Sequence, residues 1–159
     1  MKRINCIIGT VACTSLSLSL SLAEAKLELP RLFGDHMVVQ RDKPVKVWGW
    51  GERGESITVG FNGQTKTTTV GDDGKWLLAL DPMPANAKPQ EMTVKGGEES
   101  LAFTNVLVGD VWLCSGQSNM ESGAGGIVNS DLDMPQANIP AIRCLTIPLR
   151  SSPTPLDNF

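Results

Sequence analysis

The sequence predicts a β-sandwich-like N-terminal domain followed by the start of an α/β domain. Two observations lead to this fold class. Between residues 27 and 104, short alternating segments end about every ten residues at turn-forming residues, which is typical of antiparallel hairpins. From Asn105 onward an almost continuously apolar segment follows, which is typical of a strand covered on both faces.

The first 25 residues predict a secretory signal peptide and not a part of the fold. Two positive residues precede an apolar stretch at 4–22, and small residues follow in "AEA" at 23–25. We therefore expect cleavage after Ala25 and export to the periplasm or the extracellular space. A lipoprotein signal with Cys13 as the lipidated residue fits less well, because Thr10 stands where an aliphatic residue is usual.

The region 26–104 is predicted to be the β-sandwich-like domain. Asn62-Gly63 and Asp73-Gly74 separate alternating segments and supply the positive backbone dihedrals that tight turns require. Such breaks predict a series of hairpins, which a small sandwich combines into two packed sheets.

Three tryptophans fall within two of these predicted strand segments. Trp48 and Trp50 are two residues apart and share one face of a strand, and we expect that face to be the core. The alternative is a platform on which Trp48, Trp50 or Trp76 stacks against sugar rings.

Composition narrows the classes of partner. The chain of 159 residues has a formal net charge of -3 and a sequence pI of about 5.1, which gives no electrostatic basis for nucleic-acid binding. After the signal peptide no second long apolar stretch follows, so no stable membrane span is expected.

Only Cys114 and Cys144 would remain in the exported chain. We expect them to pack as buried thiols, with a disulfide between them as the alternative.

Residues 105–159 predict an α/β domain that starts without closing. "NVLVGDVWLCSG" and "AIRCLTI" are two candidate buried strands, separated by polar and glycine-rich residues. Because two parallel strands cannot bury their own faces, we expect this region to be the N-terminal part of a larger domain. The part after Glu121 is expected to be the least ordered.

A serine follows the first of these candidate strands. Ser118 lies in "CSGQSNM", behind a tight turn at Gly116 and between Gln117 and Asn119. A serine hydroxyl attacks an ester only where a base takes its proton and donors stabilise the oxyanion. The residues alone leave two interpretations open, a nucleophile or a helix N-cap, and favour the cap. The G-x-S-x-G elbow is not matched, because Met120 occupies its last glycine position.

The block "GDVWLCSGQSNM", together with "LFGDHMVVQRDKPVKVWGWGERGESITV" and "DDGKW", resembles the sialate O-acetylesterase family, carbohydrate esterases of the SGNH hydrolase type. The resemblance extends over about 29–147. It implies that Ser118 is the nucleophile and that its backbone N–H joins the oxyanion hole. It also implies a sandwich-like region ahead of an SGNH hydrolase-like α/β domain, an O-acetylated sugar as substrate, and no metal or organic cofactor.

The acid and base that the family uses are absent from this chain. The family's D-x-x-H motif does not occur, and the single histidine, His36, falls in the β-region, where we expect a surface or packing role. Asp110, Asp131 and Asp133 are expected to be solvated carboxylates or turn caps. We therefore expect the chain by itself to be nearly inactive.

Two other functions remain open from the sequence. One is a non-catalytic carbohydrate-binding or adhesion module built on the β-region. The other keeps the esterase chemistry and changes the substrate to acetylated plant glycans such as acetyl-xylan. The sequence predicts no oligomeric state.

Overall fold

Seven β-strands make up most of the ordered architecture. The structure, a computed structural model, describes residues 26–126, 128–156 and 158, so the predicted signal peptide with Cys13 lies outside the described residues. The strands are β1 (Val38–Gln40), β2 (Val45–Trp50), β3 (Ser56–Phe61), β4 (Gln64–Thr69), β5 (Lys75–Leu80), β6 (Asn86–Gly96) and β7 (Glu99–Gly109).

The strands form two sheets. The larger sheet has the order β1-β7-β6-β3-β4, and β2 pairs with β5 in a second, two-stranded sheet. The pairing is antiparallel except between β1 and β7, which run parallel. β4, whose sequence is QTKTTT, lies at one edge of the larger sheet, and the three-residue β1 lies at the other.

The predicted turn chemistry is confirmed at the β3–β4 hairpin. Phe61 pairs with Gln64 across a two-residue turn in which Asn62 and Gly63 have φ of 49° and 75°. Gly74 also has a positive φ of 74°. Its turn joins β4 to β5, which belong to different sheets, so it carries the chain from one layer to the other.

A single hydrophobic core lies between the two sheets. Side chains at every second position of β2, β3 and β5 point inward, as the two-residue period of a strand requires. Val47 and Leu80 of the small sheet meet Val59 of the large sheet, and all three have no exposed surface. The core cluster comprises Leu27, Val39, Val45, Val47, Ile57, Val59, Phe61, Val70, Trp76, Leu78, Leu80, Met83, Met92, Val94, Val106 and Val108.

The prediction that Trp48 and Trp50 face the core is wrong. The two side chains do share a face of β2, but Val45 and Val47 on the opposite face are the buried ones. Trp48 and Trp50 are only partly buried, on the outside of the small sheet. The edge of the Trp48 ring meets Phe33, with ring centroids 5.0 Å apart.

Trp76 is the tryptophan that enters the core, with 3% of its surface exposed. It lies opposite Gly49 on the neighbouring strand, and its Nε1 donates to the carbonyl of Trp50 at 3.3 Å. A Cβ at Gly49 would stand 2.1 Å from the carbonyl oxygen of Glu28 and 3.1 Å from the Trp76 ring. Glycine at this position therefore allows both groups to approach.

The predicted long strand after Asn105 is only partly present. β7 runs without a break across residues 104 and 105 to Gly109, and Val106 and Val108 are buried in the sandwich. Beyond Gly109 the described residues contain no strand, and Leu113 is 90% exposed. The predictions of strands in "DVWLC" and in "AIRCLTI" are therefore wrong for this structure, because no neighbouring strand is placed to pair with either segment.

Short helical turns replace the expected α/β elements. The described residues beyond the sandwich form α1 (Ser118–Glu121) and α2 (Ser130–Asp133), with 3₁₀ turns at Ala124–Gly126 and Met134–Gln136. Cys114 and Cys144 are both free and exposed, so the expectation of buried thiols is wrong and neither forms a disulfide.

Truncation of Leu80 to alanine should lower the free energy of unfolding by about 2–5 kcal/mol, because it removes a side chain with no exposed surface from the sandwich core. Leu77→Ala is the matched control, since Leu77 lies on the same strand with 56% of its surface exposed and should change stability by about 0.5 kcal/mol or less. Urea denaturation of both variants measures the difference, and equal effects would contradict the assigned inner face of β5.

Candidate functional site

Ser118 is the first residue of the one-turn helix α1. The N-cap position is Gln117, and no side chain caps the helix. The Ser118 carbonyl accepts hydrogen bonds from the backbone N–H of Ser122 at 3.2 Å and from its hydroxyl at 3.1 Å. The interpretation of Ser118 as a helix cap is therefore wrong. Its exposed hydroxyl makes no hydrogen bond to any described residue.

The turn that contains Ser118, residues 117–120, is tight. The N–H of Met120 donates to the carbonyl of Gln117 at 2.8 Å, and a Cβ at Gly116 would stand 2.6 Å from Cγ of Met120. Glycine at 116 lets the methionine side chain fold back over the turn. Asn119 lies inside α1 and follows the serine directly. The four residues predicted as the site thus form one local structure.

The histidine stays apart from this turn. His36 precedes β1 in a left-handed conformation with φ of 66°, and its Nδ1 lies 2.6 Å from Nδ2 of Asn105. Its backbone N–H donates to the carbonyl of Thr104 at 2.9 Å. These contacts give the exposed His36 a structural role in the turn before β1, in agreement with the expectation of a surface or packing histidine.

The candidate carboxylates are also engaged elsewhere or exposed. Asp110 accepts a hydrogen bond from Nε of Arg41 at 2.9 Å, and this contact raises the pKa of the Arg41 guanidinium above its usual value. Asp131 and Asp133 lie in the first turn of α2 and are exposed. No described carboxylate or imidazole contacts the Ser118 hydroxyl.

Arg143 makes a contact that no sequence motif indicates. Its guanidinium donates to the carbonyl oxygens of His36 and Asn105 and to the side-chain oxygen of Asn105. These bonds hold residues of the C-terminal region against the sandwich. The available signal was a single arginine inside the apolar segment "AIRCLTI".

Two shallow depressions occur on the described surface. One, of about 580 Å³, is lined by His36, Asn105 and Arg143 together with Ala87, Pro89, Leu107, Pro140 and Ala141. The other, of about 350 Å³, lies over the outer face of β2 and β5 and is lined by Trp48, Gly49, Trp50, Asp73, Lys75, Trp76 and Leu77. Neither depression is lined by Ser118.

Within 26–126, 128–156 and 158, no three His, Cys, Asp or Glu side chains gather where a metal ion could be held. The helices in the same part of the chain are too short to cross a bilayer.

No family model matches the chain. The chain is 33% identical over 137 residues to sialate O-acetylesterase of Mus musculus and 35% identical over 123 residues to that of Homo sapiens. These alignments cover 79% and 70% of this chain, but only 25% and 23% of the two relatives. The chain thus spans about a quarter of the length of the curated relatives it matches.

A solved structure shows the same similarity. A carbohydrate acetylesterase from Xanthomonas citri superposes with a TM-score of 0.68 and is 36% identical. The match covers 72% of this chain and 26% of that protein. The similarity therefore extends from sequence to fold over most of the described residues.

The turn that carries His36 should respond to acid through Asp35. Hydrogen bonds from the backbone N–H and the hydroxyl of Thr104, at 2.6 and 3.0 Å, hold the pKa of the Asp35 carboxyl below its ordinary value of 3.8. Because the folded pKa is the lower one, the carboxylate stabilises the fold above 3.8, and this contribution is lost as the pH falls through the folded pKa.

Asp35→Asn should therefore be less stable than the native chain at neutral pH, and the difference should shrink below pH 3.8. Urea denaturation at pH values across this range measures the difference in the free energy of unfolding between the variant and the native chain. Asp131→Asn, at an exposed carboxylate of α2 beyond the sandwich, is the control and should leave the free energy of unfolding at neutral pH unchanged. A constant difference between Asp35→Asn and the native chain at every pH would contradict the assignment.

Proposed function

Because this chain belongs to a family of sialate O-acetylesterase-like carbohydrate esterases, we propose that it is the front part of an esterase that removes O-acetyl groups from sialic acid or a related sugar. The observation that carries this proposal is the identity of 33–36% to sialate O-acetylesterases over 63–79% of the chain. The fold match to a carbohydrate acetylesterase supports the same chemistry.

Ser118 is the nucleophile in this proposal. Its oxygen attacks the acetyl carbonyl while a base takes the hydroxyl proton, and the backbone N–H of Ser118 stabilises the oxyanion. The sugar hydroxyl then leaves with that proton, and water releases acetate from the acylated serine. Two features of the structure support the assignment: the hydroxyl is exposed, and among the described side chains none holds it in another role.

The base and the acid are proposed to come from parts of the protein beyond these 159 residues. No described imidazole contacts Ser118, and His36 is bonded to Asn105. A serine without a base reacts slowly, since its hydroxyl remains protonated. The chain by itself should therefore hydrolyse esters very poorly.

The exposed apolar surface supports this division of the protein. In the proposed SGNH hydrolase-like region, 105–159, large apolar side chains beyond Gly109 are solvent-exposed, which is unusual for a finished domain. We propose that the remaining strands and helices of an α/β domain cover them. These side chains are Val111, Trp112, Leu113, Met120, Val128, Leu132, Met134, Ile139, Ile142, Leu145, Ile147, Leu149 and Leu156.

The proposal includes export and leaves the sugar open between two classes. Residues 1–25 have the composition of a signal peptide, which would deliver the enzyme to O-acetylated glycans outside the cytoplasm. Acetylated plant glycans such as acetyl-xylan would be hydrolysed by the same serine chemistry. The names of the curated relatives favour sialic acid.

A second candidate function is a non-catalytic carbohydrate-binding module. The observation that favours it is the partly exposed position of Trp48 and Trp50 on one outer face, where they line the depression of about 350 Å³. Indole rings offer flat apolar surfaces to a sugar, and Asp73 and Lys75 at the same depression can hydrogen-bond to hydroxyl groups. Trp76 cannot take part by stacking, because it is buried.

Ser118→Ala should abolish esterase activity in the enzyme extended through its natural reading frame, by on the order of a thousandfold or more in kcat. Hydrolysis of p-nitrophenyl acetate and of O-acetylated sialic acid measures the loss. Ser122→Ala is the matched control, because its hydroxyl lies in the same turn and donates to the Ser118 carbonyl, and it should retain most of the activity. Undiminished activity in Ser118→Ala would refute the assigned nucleophile.

The binding function predicts a different result. Trp50→Ala should abolish binding of sugars to this chain, as measured by calorimetry with sialic acid and xylo-oligosaccharides, because stacking area is lost. Trp112→Ala is the control, since Trp112 lies beyond the sandwich and is 83% exposed. If the native chain binds none of these sugars, the second candidate function is rejected.

A further inference from the structure

The segment that carries Ser118 leaves and rejoins the sandwich at the same edge. At its start, the backbone N–H of Val111 donates to the side-chain oxygen of Gln40 at 2.9 Å, and Asp110 is paired with Arg41. At its end stands Arg143, whose acceptors lie beside the parallel β1–β7 pair. We call residues 110–143 the Ser118 segment.

The side chain of Arg143 donates three hydrogen bonds. Nη1 donates to the carbonyl of His36 at 2.8 Å and also to the carbonyl of Asn105, and Nη2 donates to Oδ1 of Asn105 at 2.9 Å. The acceptors are 107 and 38 residues away in sequence. A planar guanidinium can reach all three at once, whereas an ammonium group presents its donors from a single point.

The acceptors are presented by two uncommon backbone conformations. His36 and Asn105 both lie in the left-handed region, with φ of 66° and 56°. Each is fixed by bonds of its own: His36 to the Thr104 carbonyl, and the two side chains to one another at 2.6 Å. The carboxylate of Asp35 holds Thr104 in turn. The carbonyl of His36 and both oxygens of Asn105 are therefore oriented by the sandwich itself.

The contact made by Arg143 differs from its surroundings in burial and in the kind of acceptor. Arg143 is partly buried, while its neighbours Ile142 and Cys144 are exposed. The described contacts of its guanidinium are all neutral oxygens, which recognise the shape of the donor group as well as its charge. Such an arrangement fixes a position in space more closely than a surface ion pair does.

We propose that Arg143 is a positioning residue that seats the end of the Ser118 segment on the sandwich and so fixes where Ser118 stands in the assembled esterase. This inference rests on the proposed function. Arg143 does not touch the reacting atoms. It acts through the turn at His36 and through Asn105, a left-handed residue within β7, which link the Ser118 segment to the β1–β7 edge of the sandwich.

The first experiment tests the contact in the chain as it exists, without any enzymatic activity. A nitroxide is attached to the exposed thiol of Cys144 in a chain that carries Cys6→Ser, Cys13→Ser and Cys114→Ser, so that no other cysteine can react. In the native sequence the label should broaden the amide NMR signals of His36, Asn105 and Leu107, because Arg143 holds the adjacent residue against them. In Arg143→Ala this broadening should fall at least about twofold, since the end of the segment is released.

Two further variants make the result specific. Arg143→Lys keeps the charge but not the planar group, and it should lose part of the broadening. Arg150→Ala removes an exposed arginine seven residues further along and should keep all of it. If Arg143→Ala shows the same broadening as the native chain, the contact does not hold the segment and the proposal is overturned.

The second experiment uses the extended enzyme. Arg143→Ala should lower kcat/KM for p-nitrophenyl acetate by about tenfold or more, with the larger part of the loss in kcat, because a misplaced nucleophile weakens the transition state. Arg143→Lys should recover part of the loss. Full activity in Arg143→Ala would overturn the positioning role. An extended native enzyme with no Ser118-dependent activity would refute the proposed function, while the NMR experiment still reports on the contact.

Discussion

The packing of a two-stranded sheet against a five-stranded one is the constraint on which the rest of the structure depends. β2 and β5 have no further strand beside them in the described residues, so their stability comes from burying one face. Val47, Leu78 and Leu80 fill the space above Val59 and Val94. At the edge of the larger sheet β1 pairs in parallel with β7, which places the turn before β1 next to Asn105 of β7.

Sequence patterns predicted the local elements of the sandwich better than their orientation. The Asn62-Gly63 turn follows from backbone chemistry that two residues carry by themselves, and the β3–β4 hairpin is present. The alternation in β2 was equally clear, yet it defines two faces without saying which one is covered. Trp48 and Trp50 were placed inside on hydrophobicity alone, whereas valines on the other face fill the space that the facing sheet leaves.

The site shows the same difference between local and distant determinants. The turn around Ser118 was identified from a short motif, because its residues are neighbours in the chain. The Arg143 contact is not predicted by any motif, because its acceptors belong to the turn before β1 and to β7, which are distant in sequence and adjacent only through the β1–β7 pairing. Apolar composition also predicted a buried strand at Val111 and beyond. Burial depends on a partner, and the described residues supply none for that segment.

The sequence of the edge strand β4 affects whether additional strands can pair with the larger sheet. Its sequence, QTKTTT, is made of amides, hydroxyls and one ammonium group, and Lys66 is bonded to Asp81. Polar and charged edges resist pairing with strands of other molecules, since the incoming strand would have to strip water from these groups. The Ser118 segment begins at the opposite edge of the sheet, beside β1. The larger sheet thus has one edge protected by polar side chains and one edge, at β1 and β7, where the Ser118 segment begins.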